Sequence, residues 1–278
     1  MKNCVMQNNG RAAGWLLVGA LSLAAAMPAG AVVGITLTNN NSIAEIDPYS
    51  QAGMNRWVVD GGTSALKQQW FWYRVGSTAA EQSINAIGAP AITSISASSA
   101  KLVYTSPGLF DIQVTYTLTG GSLGSGASDI DEQIRINNLS ASALDFHFFQ
   151  YSDFNLGASD SVGLSQNLLG KFNRSVQTYG GTALQETVIA PGANHGEVAA
   201  TPFTLNRLND GVATTLNDSL NAVGDVSWAF QWDFQIAAGG SAQIGKDKRL
   251  AVVPEPTTTA LAGLGLAVLL AAARRRLS

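Results

Sequence analysis

The longest regular alternation in the chain is Val226-Ser-Trp-Ala-Phe-Gln-Trp-Asp-Phe-Gln-Ile236. Every even position in this segment carries Val, Ile, Phe or Trp. Because successive side chains of a strand point to opposite faces, this period of two predicts a half-buried antiparallel strand with its even positions in the core. The odd positions Ser227, Gln231 and Gln235 are expected to face solvent.

Several other segments are also predicted to be strands, and that at 69–75 is aromatic on both faces. Residues 237–241 supply a Gly-rich turn, and residues 242–252 are expected to return beside 226–236 as the second strand of a closing hairpin. Further strands are predicted at residues 33–38, 56–59, 69–75, 91–96, 102–105, 110–118, 130–136 and 144–156. Short strands, turns of Gly, Ser and Asn, and no extended amphipathic helix predict an all-β fold, an antiparallel β-sandwich with a jelly-roll-like arrangement.

Two of these segments depart from simple alternation. In 130–136, Glu132 interrupts a face otherwise formed by isoleucines. In 144–156, the apolar phase changes between Phe148 and Phe149. A change of phase indicates either a β-bulge or a strand that is buried on both sides.

The stretch before residue 210 has the weakest pattern. Residues 157–200 are polar, and long loops with one or two strands are expected there. Thr201 is placed as the N-cap of a short helix and Pro202 as its first residue, which are the positions these residue types prefer.

The N-terminal end has the order of a secretory signal. The first 44 residues contain only two charges, both basic, and an apolar run at 14–26 follows them. Ala29 and Ala31 then form an Ala-x-Ala site, so residues 1–31 are predicted to be a signal peptide. The alternative is an uncleaved anchor, although the run is shorter than the roughly 20 residues that span a bilayer. We expect signal peptidase and the secretion machinery to leave Val32 as the mature N-terminus.

The C-terminal end combines a short motif, an apolar segment and a basic cluster. In order, these are Pro254, Glu255 and Pro256, then residues 260–273, then Arg274, Arg275 and Arg276. No charge occurs from 256 to 273, and a helix of that length would be about 27 Å long against a bilayer core of about 30 Å. The positive-inside rule would keep the arginines in the cytoplasm, so the bulk of the protein would lie outside.

This order of features resembles the PEP-CTERM sorting signal of Gram-negative bacteria. The resemblance implies recognition by an exosortase, an integral-membrane transpeptidase, in organisms that make exopolysaccharide. It also implies a transient membrane anchor that is removed, as in other C-terminal tail signals, with the protein then at the cell surface or outside the cell. The predicted parts are the signal peptide at 1–31, an exported domain at 32–253 and the sorting signal at 254–278.

Composition excludes several classes of function for the exported domain. The two ends contain five of the 16 basic residues and one of the 19 acidic residues, which leaves 11 basic and 18 acidic residues. An acidic domain has no electrostatic reason to bind nucleic acid. The only cysteine is Cys4, so the domain has no disulfide, thiolate nucleophile or Cys-ligated zinc. No metal or cofactor is expected.

The exported domain contains two histidines, His147 and His195, and a Ser-His-Asp triad would have to use one of them. His147 shares a strand face with Asp145, which would suit a polar surface site or a metal-ligand pair, or simply the solvent face of a strand. His195 lies in a predicted loop without a nearby motif. No G-x-S-x-G, H-E-x-x-H or P-loop pattern occurs, and the domain is predicted not to be an enzyme.

Two other groups of residues, one acidic and one aromatic, are candidate binding sites. Asp129, Asp131 and Glu132 would suit calcium, but they lack the regular ligand ladder of a calcium loop, and a solvated start of a strand is the simpler interpretation. A second group, the aromatic run that contains Trp70, Trp72 and Tyr73, would stack on sugars if one face were exposed. Core packing is the alternative for this group.

The leading hypothesis is therefore an exported surface or matrix protein that an exosortase sorts. The alternative is a module that binds carbohydrate, namely the cell's own exopolysaccharide. An extracellular hydrolase is the least favoured alternative, because paired carboxylates of a glycosidase leave no local pattern in a sequence.

Overall fold

A computed structural model describes residues 34–252, and two sheets packed face to face form most of this part of the chain. The predicted antiparallel β-sandwich is confirmed. The predicted signal peptide, including Ala29 and Ala31, and the segment from Pro254 to Arg276 lie outside the described residues. The strands are β1 Ile35–Asn39, β2 Ser42–Asp47, β3 Gly53–Val59, β4 Leu66–Val75, β5 Gln82–Ser83, β6 Ala91–Ser96, β7 Ser99–Ser106, β8 Phe110–Gly120, β9 Ala127–Asn138, β10 Leu144–Phe154, β11 Asp160–Gln166, β12 Phe172–Tyr179, β13 Thr182–Ala190, β14 His195–Ala200, β15 Asn221–Gly224, β16 Val226–Ile236 and β17 Ser241–Val252.

The strands divide into a front sheet of eight and a back sheet of nine. The front sheet has the order β1-β2-β3-β4-β10-β16-β14, with β5 also paired to β4. The back sheet has the order β15-β11-β12-β13-β17-β9-β8-β7-β6. All pairs are antiparallel except the short contact between β3 and β4. A 3-10 helix at Ile84–Ile87 and the helix α1 at Phe203–Arg207 complete the described elements.

The predicted hairpin at the end of the domain is wrong. Strand β16 has the predicted bounds, but it pairs with β10 and β14 in the front sheet. Strand β17 pairs with β9 and β13 in the back sheet, so the turn at 237–240 carries the chain from one sheet to the other. Each of the two strands turns its even-numbered side chains into the core between the sheets.

The prediction of long loops over 157–200 is also wrong, because four strands, β11 to β14, lie there. Polar residues occupy some of their core-facing positions, so the sequence lacks the alternation of apolar and polar residues that predicts a strand. Ser175 and Gln177 of β12 are both buried. The Gln177 amide donates hydrogen bonds to the Phe154 carbonyl at 2.8 Å and to Asp160 Oδ2 at 2.6 Å. A buried polar side chain that finds such partners is tolerated in the core, although no hydrophobic pattern marks it.

Aromatic rings fill the space behind the centre of the front sheet. Phe71 stacks on Phe148 with ring centroids 5.4 Å apart, and Phe154 stacks on Trp228 at 5.3 Å. Strand β10 is buried on both sides from Phe149 onward, which confirms the second of the two interpretations of its change of phase. The irregularity in its pairing comes later, next to Phe154.

An outer layer covers part of the other face of the front sheet. It consists of residues 201–220, including α1, whose N-cap is Pro202 instead of the expected Thr201 and makes no side-chain capping bond. The layer buries Ser227 and Gln231, two odd positions of β16 that were expected to face solvent, while Gln235 is exposed as predicted. Gln231 Oε1 accepts a hydrogen bond from the Leu216 amide at 3.0 Å. The parity of β16 is thus correct, but its solvent face is only partly exposed.

Three substitutions on β16 would test this arrangement. Phe230→Ala should lower the free energy of unfolding by about 3–5 kcal/mol, because it removes a fully buried ring. Gln231→Ala should cost about 1–3 kcal/mol, because the buried Leu216 amide loses its acceptor. Gln235→Ala should stay within about 0.5 kcal/mol. Urea unfolding would measure all three, and equal losses from the two glutamine variants would contradict the outer layer.

Candidate functional site

The outer layer ends near Asp218, and beyond it a polar cluster lies on the outer face of the front sheet. His147 of β10 and Asp233 of β16 are directly paired across neighbouring strands. Their side chains meet with His147 Nδ1 2.5 Å from Asp233 Oδ1. Gln231 Nε2 donates a second hydrogen bond to the same oxygen at 2.8 Å. A cross-strand pair of this kind links the two strands through their side chains.

The electrostatics of Asp233 follow from these contacts. Burial alone would raise the pKa of the Asp233 carboxyl, but hydrogen bonds from His147 and Gln231 and the charges of the His147 and His195 imidazoles outweigh it. The pKa of Asp233 therefore lies below its usual value. At neutral pH the group is a carboxylate, so His147 Nδ1 carries a hydrogen and donates it.

The second histidine reaches the same carboxylate from the next strand. His195 begins β14, which pairs with β16, and its Nε2 lies 3.7 Å from Asp233 Oδ2. Its Nδ1 lies 3.1 Å from Asp218 Oδ1, and the backbone amide of Gly196 donates to that same oxygen at 3.2 Å. Both histidines of the described chain therefore converge on one carboxylate. We call Asp145, His147, His195, Asp218 and Asp233 the outer histidine cluster.

The two imidazoles differ in access to solvent. His147 Nε2 lies 3.6 Å from Asp145 Oδ1, has no accessible surface and makes no hydrogen bond. The His147 side chain is 13% exposed, whereas that of His195 is 31% exposed and Asp218 is 48% exposed. His147 thus holds β10 to β16 inside the cluster, while His195 and Asp218 present polar atoms to an approaching molecule.

The sequence pattern places only Asp145 and His147 of these five residues together. The shared face of Asp145 and His147 was recognised, but His195 was assigned to a loop, and Asp218 and Asp233 were not singled out. Asp233 was detectable as the one charged side chain in the alternating segment 226–236. Its meeting with His147 depends on the pairing of β10 with β16, which neither strand specifies alone.

The aromatic run of β4 does not form an exposed platform. Trp70 and Trp72 have no exposed surface, so neither ring can stack on a sugar in this fold. Their indole nitrogens donate to Ser83 Oγ at 3.0 Å and to Asn209 Oδ1 at 3.3 Å. Tyr73 is partly buried and stacks on a core phenylalanine. Trp70 and Trp72 therefore pack in the core, which was the alternative to sugar stacking for these residues.

The three carboxylates considered for calcium do not converge. Glu132 points into the core and is fully buried, whereas Asp129 and Asp131 alternate with it and lie on the outer face of the back sheet. Asp131 accepts hydrogen bonds from Gln133 at 3.1 and 3.2 Å. Among residues 34–252, no group of three or more His, Cys, Asp or Glu side chains is arranged to hold a metal ion.

A cavity of about 400 Å³ lies beside Val59, Ala65 and Leu250. Its acidic side chain, Asp60, accepts hydrogen bonds from the Gly124 amide at 2.6 Å and from the Gly126 amide at 2.8 Å. Since these bonds already engage both carboxylate oxygens, the polar lining of this cavity is less available to a ligand than the outer histidine cluster.

Comparison with known proteins identifies the C-terminal segment. Residues 252–276 match the PEP-CTERM protein-sorting motif. The chain carries a PEP-CTERM sorting signal. Pro254, Glu255 and Pro256 lie in the matched range, and so do Arg274 to Arg276, as the resemblance implied. This motif is the C-terminal signal of exosortase substrates, and it supports sorting of the chain to the cell surface by an exosortase. Within residues 34–252, no helix is both long and apolar enough to span a membrane.

Solved structures with the same fold share little sequence with this PEP-CTERM protein. The putative aldose 1-epimerase of Escherichia coli K12 aligns with a TM-score of 0.56 and 12% identity, over 80% of this chain and 99% of its own. A galactose mutarotase-like protein from Lactobacillus casei aligns with a TM-score of 0.52 and 8% identity, over 78% and 100%. A bacterial glucoamylase complexed with acarbose aligns with a TM-score of 0.55 and 10% identity, over 85% of this chain and 36% of its own. No curated protein matches the sequence significantly.

Asp233→Asn would test the electrostatics of the cluster. At pH 7 the free energy of unfolding should fall by about 1.5–3 kcal/mol, the usual contribution of a hydrogen bond to a charged group. Because the pKa of Asp233 is lowered by folding, the contribution of its charge is present above the unfolded pKa of about 3.9 and is lost as the pH falls through the folded value.

Urea unfolding from pH 7 to pH 3 would measure this effect, and the difference between Asp233→Asn and the parent should shrink below about pH 4. The matched control is Asp131→Asn on the outer face of the back sheet, which should stay within about 0.5 kcal/mol of the parent. A difference that remained constant down to pH 3 would contradict the assigned role of the Asp233 charge.

Proposed function

We propose that the exported domain is a carbohydrate-binding module without catalytic activity, and that it binds the exopolysaccharide of its own cell through the outer histidine cluster. The observation that carries this proposal is the convergence of His147 and His195, the two histidines of the exported domain, on Asp233 at an open face of the front sheet. Three strands and one loop bring these groups together, and a framework of paired strands holds them in place.

The chemistry of the cluster suits a sugar. Hydroxyl groups both donate and accept hydrogen bonds, and the cluster offers carboxylate acceptors at Asp218 and Asp233 beside the imidazole of His195. The side chains of Asp218 and His195 are about half and one third exposed, so a hydroxyl can reach them from solvent. The names of the fold relatives, an aldose 1-epimerase, a galactose mutarotase-like protein and a glucoamylase, support sugar as the ligand class.

Sorting by an exosortase supports the choice of exopolysaccharide. The PEP-CTERM signal resembles those of organisms that make this polymer, and a protein displayed at the cell surface would meet it there.

The state of His147 supports binding without catalysis. A general acid or base must lie within hydrogen-bond reach of the substrate proton. His147 Nδ1 is engaged by Asp233, and His147 Nε2 has no accessible surface. The close pair of His147 and Asp233 nevertheless favours a second candidate, a sugar epimerase, in which the carboxylate would orient the imidazole.

Isothermal titration of the exported protein with exopolysaccharide purified from the producing cells would test the proposal. His195→Ala and Asp218→Asn should each weaken binding about tenfold, equivalent to about 1.4 kcal/mol. Asp131→Asn, the same change as Asp218→Asn on the opposite face of the sandwich, should bind as the parent does. Parent-like affinity in both cluster variants would place the site elsewhere, and no binding by the parent would refute the function.

Polarimetry separates the binding module from the epimerase. The exported protein should not accelerate the mutarotation of glucose or galactose above the rate in buffer. Acceleration that Asp233→Asn abolished would instead establish the epimerase candidate.

A further inference from the structure

Two lysines and two glutamates lie between the sheets without any exposed surface. Glu132 of β9, Glu186 of β13, and Lys246 and Lys248 of β17 all point from the back sheet into the core. Lys246 Nζ lies 2.6 Å from Glu132 Oε2 and 3.7 Å from Glu186 Oε1, while Lys248 Nζ lies 2.5 Å from Glu132 Oε1 and 3.8 Å from Glu186 Oε2. We call these four residues the buried charge cluster.

A fifth polar group reaches this cluster from the opposite sheet. Gln150 of β10 is fully buried, and its Oε1 contacts Lys246 Nζ. Its Nε2 donates to Glu186 Oε2 at 2.7 Å. The two oxygens of Glu186 therefore face, respectively, the amine of Lys246 and the amide nitrogen of Gln150. An amine, a carboxamide and a bridging carboxylate are held together in a site without solvent.

The environment promotes the reactivity of the amine. Burial lowers the pKa of the Lys246 ammonium, and the positive charge of Lys248 lowers it further, against the opposing effect of the two carboxylates. A desolvated lysine beside a second cation is a recognised way to make a nucleophilic amine. Proximity supplies the rest, since groups held in contact react far faster than the same groups free in solution.

We propose that Lys246 and Gln150 form an intramolecular isopeptide bond that joins the two sheets covalently. Glu132 takes one proton from the Lys246 ammonium, and the free Nζ attacks Cδ of Gln150. A bond forms between Nζ and Cδ, and Glu186 transfers a proton from Nζ to Nε2. The bond between Cδ and Nε2 then breaks and releases ammonia. The ammonia takes the proton from Glu132 and leaves as ammonium. No oxidant, reductant or cofactor is needed.

The geometry selects this pair over the neighbouring groups. Lys248 faces the two glutamates only, and an ionised carboxylate is a poor electrophile because attack would place a second negative charge on it. Gln150 provides a neutral acyl group whose leaving nitrogen already has a proton-transfer partner. The exported domain has no cysteine, so no disulfide can link the sheets, and this bond would supply a covalent cross-link between their side chains.

Mass spectrometry of the protein as exported would test the proposal directly. With the mature termini fixed by their terminal peptides, the intact mass should be lower than that of the linear chain by one molecule of ammonia. Trypsin should not cleave after Lys246, and the digest should contain a branched peptide that joins the segments around Gln150 and Lys246. The full linear mass, loss of water instead of ammonia, or an ammonia loss mapped to another residue would each overturn it.

Variants would test the chemistry. Glu186→Gln keeps the size of the side chain but removes the proton carrier. The branched peptide should therefore disappear, and the intact mass should equal that of the linear variant chain. Asp131→Asn, the same change of a carboxylate to an amide but on the outer face of the back sheet, should leave the branched peptide in place. A branched peptide that persisted at the parent level in Glu186→Gln would overturn the role of Glu186. If either variant fails to accumulate, the mass of the parent protein alone decides whether the bond exists.

Discussion

Strand β10 packs aromatic rings against the back sheet with one face, while residues 201–220 cover most of its other face. This burial on two sides determines where polar chemistry can occur. Inside, the polar Gln150 is accepted because Lys246, Glu186 and Ser152 provide partners for its amide. Outside, His147 meets Asp233 where the outer layer ends near Asp218, and its side chain is only 13% exposed. These two polar groups thus depend on the packing of a single strand, with positions 147 and 150 on opposite faces.

The buried charge cluster is not explained by stability alone. Removing two ammonium groups and two carboxylates from water is costly, and well-packed apolar side chains are often as stable as a buried ion pair. Its position offers a better explanation. The four charges belong to the back sheet, and Gln150 belongs to the front sheet, so they meet only when the two sheets are aligned in one way. Apolar side chains alone would tolerate a shifted alignment, whereas a shift here would separate the buried Gln150 carboxamide from Lys246 and Glu186.

The sequence predicted strands best where apolar and polar residues alternate without interruption. β16 was predicted with its actual bounds, but β11 to β14 were missed because polar residues occupy buried positions in each of them, namely Asp160, Ser175, Gln177, Glu186 and Glu197. Glu132, noted as an exception to its strand's pattern, is the residue that reveals the buried charge cluster. The partners of β16 and β17 could not be predicted, because alternation shows that a face is buried but not which sheet the strand joins.

The same limit explains why the candidate site was only half visible. His147, His195 and Asp233 lie on three strands, and each strand carries its polar side chain on the face that the local pattern leaves to solvent. Only the antiparallel pairing of β10, β16 and β14 brings the three together. It places Asp233 opposite His147, and it places His195 opposite Gln231, two residues along β16 from Asp233. Sites assembled across strands from distant segments leave no spacing motif. Their trace in a sequence is a charged residue on the outer face of a strong strand, as Asp233 is in the segment 226–236.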